Sequence, residues 1–341
     1  MDLAALNAVA TAMVQPGKGI LAADESTGTI KKRFDAIGVE NIEENRRDYR
    51  ELLFRSPEGM SYISGVILFE ETLYQNAADG TPLVDLITAA GSIPGIKVDK
   101  GASKMAGFPG ETITKGLDGL SKRLRKDYER GARFAKWRAV IDIADGVPTW
   151  GAIKSNAHAL ARYAAICQQE QIVPIVEPEV LMDGAHDIDR CDQVTRWILQ
   201  TTFQELYEQR VQLEGMVLKP NMVVPGKKNR PAPVQQVAER TIAALKATVP
   251  STVPGIAYLS GGQSDEEATA HLDAMNKIGG FPWKMTFSYG RALQAAPQKA
   301  WGGKQENSAA AQAAFVHRAR MNGLASKGEW SAELERQAQA A

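Results

Sequence analysis

Short runs of apolar and β-branched residues recur along the chain, each closed by a turn signal and followed by a helical pattern. They fall at residues 19–24 (GILAAD), 62–69 (YISGVILF), 95–100 (GIKVDK), 132–141 (ARFAKWRAVI), 172–179 (IVPIVEPE), 215–220 (GMVLKP), 255–262 (GIAYLSGG) and 284–290 (KMTFSYG). Several, such as SGVILF and PIVEP, are almost continuously apolar, which predicts parallel strands buried on both faces. Between them the spacing turns helical. NIEENRRDYRELLFR sets Tyr49, Leu52 and Leu53 on one face, and Ser264-Asp-Glu-Glu267 is a capping box that opens another helix. The first 19 residues read as an amphipathic helix; an acid at position 2 and no basic n-region argue against a signal peptide.

Strands that alternate with helices in this way close into a barrel or form a doubly wound open sheet. No Gly-rich dinucleotide fingerprint follows the first strand and no P-loop is present, so the pattern favours the barrel. With no long linker or low-complexity stretch, the chain is expected to be α/β, a single (β/α)₈ TIM-barrel domain over residues 1–341. An N-terminal helix precedes the barrel and a C-terminal helical tail follows it. From residue 326 the polar, Ala-rich tail is expected to be a loosely held, flexible appendage.

In such a barrel the active site lies at the C-terminal ends of the strands. Here those positions hold Asp24, Lys97, Lys136, Glu177 with Glu179, Lys219, Ser260-Gly261-Gly262 and Ser288 through Gly290 and Arg291. A lysine that ends a strand is ordinarily a solvated surface residue. Lys219 differs because it ends the apolar strand GMVLKP, so its stem runs through the core. Desolvation beside a second cation lowers a lysine's pKa and leaves neutral amine to act as a nucleophile. Lys136 in FAKWR fits that second cation, and alternation puts it on one face with Arg138 and opposite Ala135 and Trp137. Glu177 and Glu179 share a face as well, either as a structural ion-pair network or as proton-handling groups. Asp24 serves either as a helix N-cap or as a base facing the lysines. Ser260-Gly261-Gly262 and Tyr289-Gly290-Arg291 each leave a strand and open a helix, an arrangement that favours an anion. Lys97, Arg138 and Arg33 form a second cationic group. Two separated anion sites around a lysine suit a sugar with phosphate at both ends.

Composition adds limits. The 40 basic and 40 acidic side chains balance, so no global field favours nucleic acid or a membrane surface. No apolar run has the length of a membrane span. Two cysteines, Cys167 and Cys191, are too few for a disulfide framework and point to a reducing, cytoplasmic setting. Cys167 falls in helical register with Leu160 and Ala164, as a buried structural thiol would. The four histidines form no H-x-H or HExxH pair, and only His186 lies near a strand end, so no metal and no cofactor is expected.

The blocks GKGILAADESTGTI, EENRRDYRELL, GVILFEETLYQ, GIKVDKG, FAKWRAV, ARYAAICQQ, IVPIVEPE, LKPNMV, YLSGGQS, FSYGRALQ and AWGGK closely resemble class I fructose-1,6-bisphosphate aldolases, from about residue 10 to about residue 325. The resemblance implies a metal-free enzyme of glycolysis and gluconeogenesis, a homotetramer whose partners are sugar phosphates. It implies Lys219 as the Schiff-base lysine, Asp24 as the base for the C4 hydroxyl, and Glu177 as the proton carrier in carbinolamine dehydration, with Glu179 beside it and Lys136 assisting. It assigns Ser260, Gly261, Gly290 and Arg291 to the C1 phosphate, and Ser26, Thr29, Lys97 and Arg138, with Arg33, to the C6 end. The chain departs from the pattern in three places. Its last tyrosine is Tyr289 where eukaryotic members end in a catalytic one, Thr29 replaces a serine, and the segment 227–233 is short. A non-catalytic sugar-phosphate-binding or scaffold protein on the same barrel, and a transaldolase with one phosphate site, are the competing readings.

Overall fold

The structure, a computed structural model, describes residues 1–337. Eight parallel strands close a barrel: β1 (Gly19–Ala23), β2 (Ile63–Leu68), β3 (Ile93–Lys97), β4 (Phe134–Ile141), β5 (Val173–Val180), β6 (Val217–Leu218), β7 (Gly255–Tyr258) and β8 (Lys284–Tyr289), with β8 returning to pair with β1. Helices run outside each crossover. An antiparallel hairpin, Ala102–Lys104 with Thr112–Thr114, sits after β3. Among the described residues, no helix is long and apolar enough to cross a membrane.

The strand faces divide the core in two. Outward side chains pack against the helices, as where Trp137 of β4 stacks on Tyr163 of the helix Trp150–Gln169, with ring centroids 5.5 Å apart. Cys167 and Cys191 are buried free thiols on this outer side. Inward side chains build a smaller apolar cluster from Ile20, Ala22, Ile67, Phe134, Val173, Ile175, Val217 and Ala257. Leu6, Ala10, Met13 and Val14 of α1 (Leu3–Met13 and its C-cap) join that cluster. The spacing of these four makes one helical stripe, so the N-terminal helix closes the floor of the barrel. Asp2 caps it, accepting from the Ala5 N–H at 3.1 Å.

Alternation then dictates what lies above this floor. The inward positions run Ile20, Ala22, Asp24 on β1 and its end; Phe134, Lys136, Arg138 on β4; Val173, Ile175, Glu177, Glu179 on β5; and Val217, Lys219 on β6 and its end. Each strand passes from apolar to charged within one or two pleats.

Three strands end two or more residues short of their predicted bounds. β3 stops at Lys97 because Asp99 turns back, its Oδ1 accepting from Lys97 Nζ (2.8 Å) and from the Gly101 N–H (3.0 Å). β6 is only two residues long, and β7 ends at Tyr258, before the Ser260–Gly262 turn. In the tail the helix Ala332–Gln337 buries Glu335, which accepts from Arg318, from His317 Nε2 (2.7 Å) and from Trp330 Nε1 (2.9 Å). Buried carboxylates persist where they are paired in this way. The last four residues of the chain, 338–341, lie outside the described residues.

Phe134 fills the floor only because its neighbours on β3 and β2 are glycines. A Cβ on Gly95 would stand 2.2 Å from the Phe134 ring, and one on Gly65 would stand 3.0 Å away. Gly95→Ala is therefore expected to destabilise the fold by about 1–3 kcal/mol through overpacking. In a Phe134→Leu background the same change should be close to neutral. Chemical denaturation of the four proteins in this cycle checks the coupling, and additive effects would disprove it.

Candidate active site

A cavity of about 630 Å³ opens at the C-terminal ends of the strands. At its centre, charges alternate in sign. Lys219 Nζ lies 3.2 Å from Glu177 Oε1, Glu177 Oε2 lies 3.2 Å from Lys136 Nζ, and Lys136 Nζ donates to Asp24 Oδ2 at 3.0 Å. The lysines and Glu177 are 5 % exposed or less.

The two lysines shift in opposite directions. Burial lowers the pKa of both. Lys136, between the carboxylates of Asp24 and Glu177, overcomes that and is pushed well above its ordinary value. Lys219 does not. Its desolvation outweighs Glu177, Lys136 repels its proton, and its pKa falls below 10.5. Burial alone would raise Asp24, but Lys136 first and Lys219 second hold its carboxyl down at about 2. Arg138 is pushed up against the cost of burial by Glu179, which accepts from its Nε, and by Glu177.

Around this centre are two polar ends. Ser260, Gly261, Ser288, Gly290 and Arg291 gather at the ends of β7 and β8. The Ser288 hydroxyl is buried there without a hydrogen-bond partner in the protein, and Arg291 donates to the Gln263 carbonyl. Lys97 and Arg138 rise from β3 and β4, across the ring, and Ser26 and Thr29 line the same cavity, their hydroxyls 3.1 Å apart. Arg33 also faces the cavity but leans toward the other end, since a Cβ on Gly290 would stand 3.5 Å from its Nη2. Gly262 alone among the predicted residues is not in this wall; it lines an adjoining side chamber.

Sequence reasoning missed the support behind Asp24. Glu25 is buried, accepts from Arg33 and from Gln294 Nε2 (2.8 Å), and its carbonyl accepts from Nη2 of the buried Arg50 (3.0 Å). Arg50 belongs to the helix Glu43–Phe54, on the buried face that Tyr49 and Leu53 marked. A charge inside that apolar stripe was the available signal.

A family model described as fructose-bisphosphate aldolase class-I matches residues 5–341. The chain belongs to the class I fructose-bisphosphate aldolase family. It is 55% identical over 332 residues to a probable fructose-bisphosphate aldolase class 1 of Xanthomonas axonopodis pv. citri, covering 97% of this chain and 99% of that one. It is also 55% identical over 321 residues to the cytosolic fructose-bisphosphate aldolase 6 of Arabidopsis thaliana, covering 94% and 90%. The fructose-bisphosphate aldolase of Plasmodium falciparum, solved with TRAP and a small-molecule inhibitor, superposes with a TM-score of 0.95 at 50% identity over 96% of each chain. The barrel and the aldolase family expected from the sequence are both borne out.

The opposed shifts give a signed test. Replacing Lys136 with Met removes a like charge from Lys219 and leaves Glu177 and Asp24 free to hold its proton, so the Lys219 pKa should rise. The pH dependence of amine acylation at Lys219, followed by peptide mapping, should inflect below 10.5 in the native protein and higher in the variant. An inflection that stays put or moves down would contradict the electrostatic picture.

Proposed function

We propose that in this aldolase Lys219 is the nucleophile, Glu177 and Lys136 carry protons, and Asp24 is the base for carbon–carbon cleavage. The reaction of the family is the reversible cleavage of fructose 1,6-bisphosphate to dihydroxyacetone phosphate and glyceraldehyde 3-phosphate through a lysine Schiff base. The observation that carries the residue assignment is the buried Lys219, with lowered pKa, 3.2 Å from a carboxylate whose other oxygen meets a firmly protonated lysine.

The neutral Lys219 amine adds to the C2 carbonyl. The proton lost from nitrogen reaches the C2 oxygen by way of Glu177, whose two oxygens face the two lysines. Protonated again from this pair, the C2 hydroxyl leaves as water and a protonated imine remains. Asp24, ionised in the resting site, takes the C4 hydroxyl proton as the C3–C4 electron pair moves into the imine. Glyceraldehyde 3-phosphate departs and an enamine stays on Lys219. Protonation at C3 and addition of water return dihydroxyacetone phosphate and the free amine. An imine that accepts the electron pair spares the reaction a naked carbanion, so the stabilisation is specific to the transition state.

In this reading Ser260, Gly261, Ser288, Gly290 and Arg291 hold the C1 phosphate, and Ser26, Thr29, Lys97 and Arg138 serve the C6 end; Arg33, expected at the C6 end, leans instead toward Gly290 and the C1 phosphate. Glu179 fixes Arg138. Sugar phosphates are the small-molecule partners. A homotetramer follows from the family resemblance, and the cytosolic designation of the Arabidopsis relative supports a cytoplasmic setting.

Borohydride reduction in the presence of dihydroxyacetone phosphate should add a triose-phosphate mass to the peptide that holds Lys219, and Lys219→Met should abolish labelling and turnover together. Label on another lysine would remove Lys219 from its role. Turnover should also survive exhaustive EDTA treatment; a loss that zinc restores would refute a metal-free reaction.

A further inference from the structure

Beside the main cavity lies a side chamber of about 140 Å³, lined by Met182, Asp183, Lys227, Gly262 and Gln263 among others, and sharing Arg138, Glu179, Leu259 and Gly261 with the main cavity. The two spaces meet at the Ser260–Gly262 turn. At that turn the Gly262 N–H is directed at Met182 Sδ, 3.1 Å away. A thioether is a weak acceptor, and the donor it occupies is one that a turn of this kind ordinarily offers to an anion.

Lys227 lies across the same glycine. A Cβ built on Gly262 would stand 1.8 Å from Lys227 Cε and 2.4 Å from its Nζ. Any other residue at 262 would therefore displace the ammonium from the turn. The root of Lys227 is fixed. Its N–H donates to the Met182 carbonyl (2.7 Å), and the neighbouring Gly226 and Lys228 N–H groups donate to the carbonyls of His186 (2.9 Å) and Gly184 (3.1 Å). Its head is not fixed in the same way: Nζ pairs at 2.7 Å with Asp183 Oδ1, and the side chains are 46% and 63% exposed. An exposed lysine–carboxylate pair stabilises little, so a dianionic phosphate arriving beside it competes well.

We propose that Lys227 is an additional cation of the C1-phosphate pocket, latched on Asp183 in the free enzyme and transferred to the phosphate monoester when it binds. The ammonium supplies the interaction that the Gly262 N–H, turned toward Met182, does not. This rests on the reading of Ser260, Ser288 and Arg291 as the C1-phosphate site. The residue sets specificity for the phosphorylated end of a ketose and takes no part in the proton transfers at Lys219.

The latch makes its two partners act in opposite senses. Lys227→Met should raise the KM for fructose 1,6-bisphosphate and the inhibition constant of inorganic phosphate roughly tenfold, with kcat little changed, as expected for loss of one charge-assisted contact. Asp183→Asn frees the ammonium and should lower both constants by roughly two- to fivefold, since it removes a competing anion. In the condensation direction the KM of dihydroxyacetone phosphate should follow these changes and that of glyceraldehyde 3-phosphate should not, while Lys227→Arg should restore the native values. A purely structural pair would shift both variants the same way, and that result, or constants unchanged in Lys227→Met, overturns the proposal. Borohydride trapping on Lys219 in the native enzyme reports separately: its failure counts against the nucleophile assignment and leaves the opposite shifts of the two variants to decide the latch.

Discussion

Two ammonium groups and two carboxylates share the mouth of a closed barrel, and the row Lys219–Glu177–Lys136–Asp24 is tolerable only as a whole. Each ion gives up several kcal/mol of hydration on burial, and only close, oppositely charged neighbours return it. Position in the row then decides the direction in which each lysine's pKa moves. Lys136 has a carboxylate on either side, at 3.0 and 3.2 Å, and its pKa is raised; Lys219 has one, at 3.2 Å, and its pKa is lowered. Neither result belongs to a lysine side chain alone. The proposed catalytic roles therefore cannot be separated from structural ones at these positions, because taking away any member leaves an uncompensated charge behind.

A row of this kind needs a rigid support, and the barrel provides one beneath it. The apolar inward positions of β1, β2, β4, β5, β6 and β7 meet the stripe of α1, and the buried Thr286 of β8 spends its hydroxyl on the Lys18 carbonyl. Phe134 occupies the space that two glycines vacate. One pleat above it on the same face, Lys136 enters the row, so the packing of the ring and the height of the ammonium are set by one strand. Tight interiors transmit strain, and a shift in the floor is felt at the charges.

Most of this arrangement is legible in the period-two pattern of the sequence. Phe134, Lys136 and Arg138 alternate with Ala135, Trp137 and Ala139, and the sorting into inside and outside follows from that alone. What the pattern does not contain is closure at long range. Glu25 reads as one more acid after Asp24 until Gln294, 269 residues on, donates to it. The tail reads as solvated because its anchoring group is a carboxylate, Glu335, whose partners Arg318 and His317 lie on another helix. Strand ends are overrun for a related reason. The apolar signal of GIAYLSGG continues past Tyr258, but the pairing stops there, because the next residues turn at Ser260–Gly262. Local pattern reports what a segment prefers, and a functional loop is where the chain abandons that preference.

On the proposed assignment of the site residues, the placement of the two phosphate ends accounts for where on the sugar the lysine reacts. Around an eight-stranded ring, β7 and β8 lie opposite β3 and β4, so a bisphosphate held by both spans the mouth. Lys219 ends β6, next to the β7 turn with Ser260 and Gly261 assigned to the C1 phosphate and three strands round the ring from Lys97 on β3. A nucleophile so placed meets C2, one bond from the phosphorylated carbon, while C4 to C6 extend toward β3 and β4. Binding energy from two remote phosphates is then spent on aligning a single carbonyl with a single amine. In that reading regiochemistry is a consequence of strand order: the same lysine at the end of β3 would face the other end of the same sugar, where there is no carbonyl to attack.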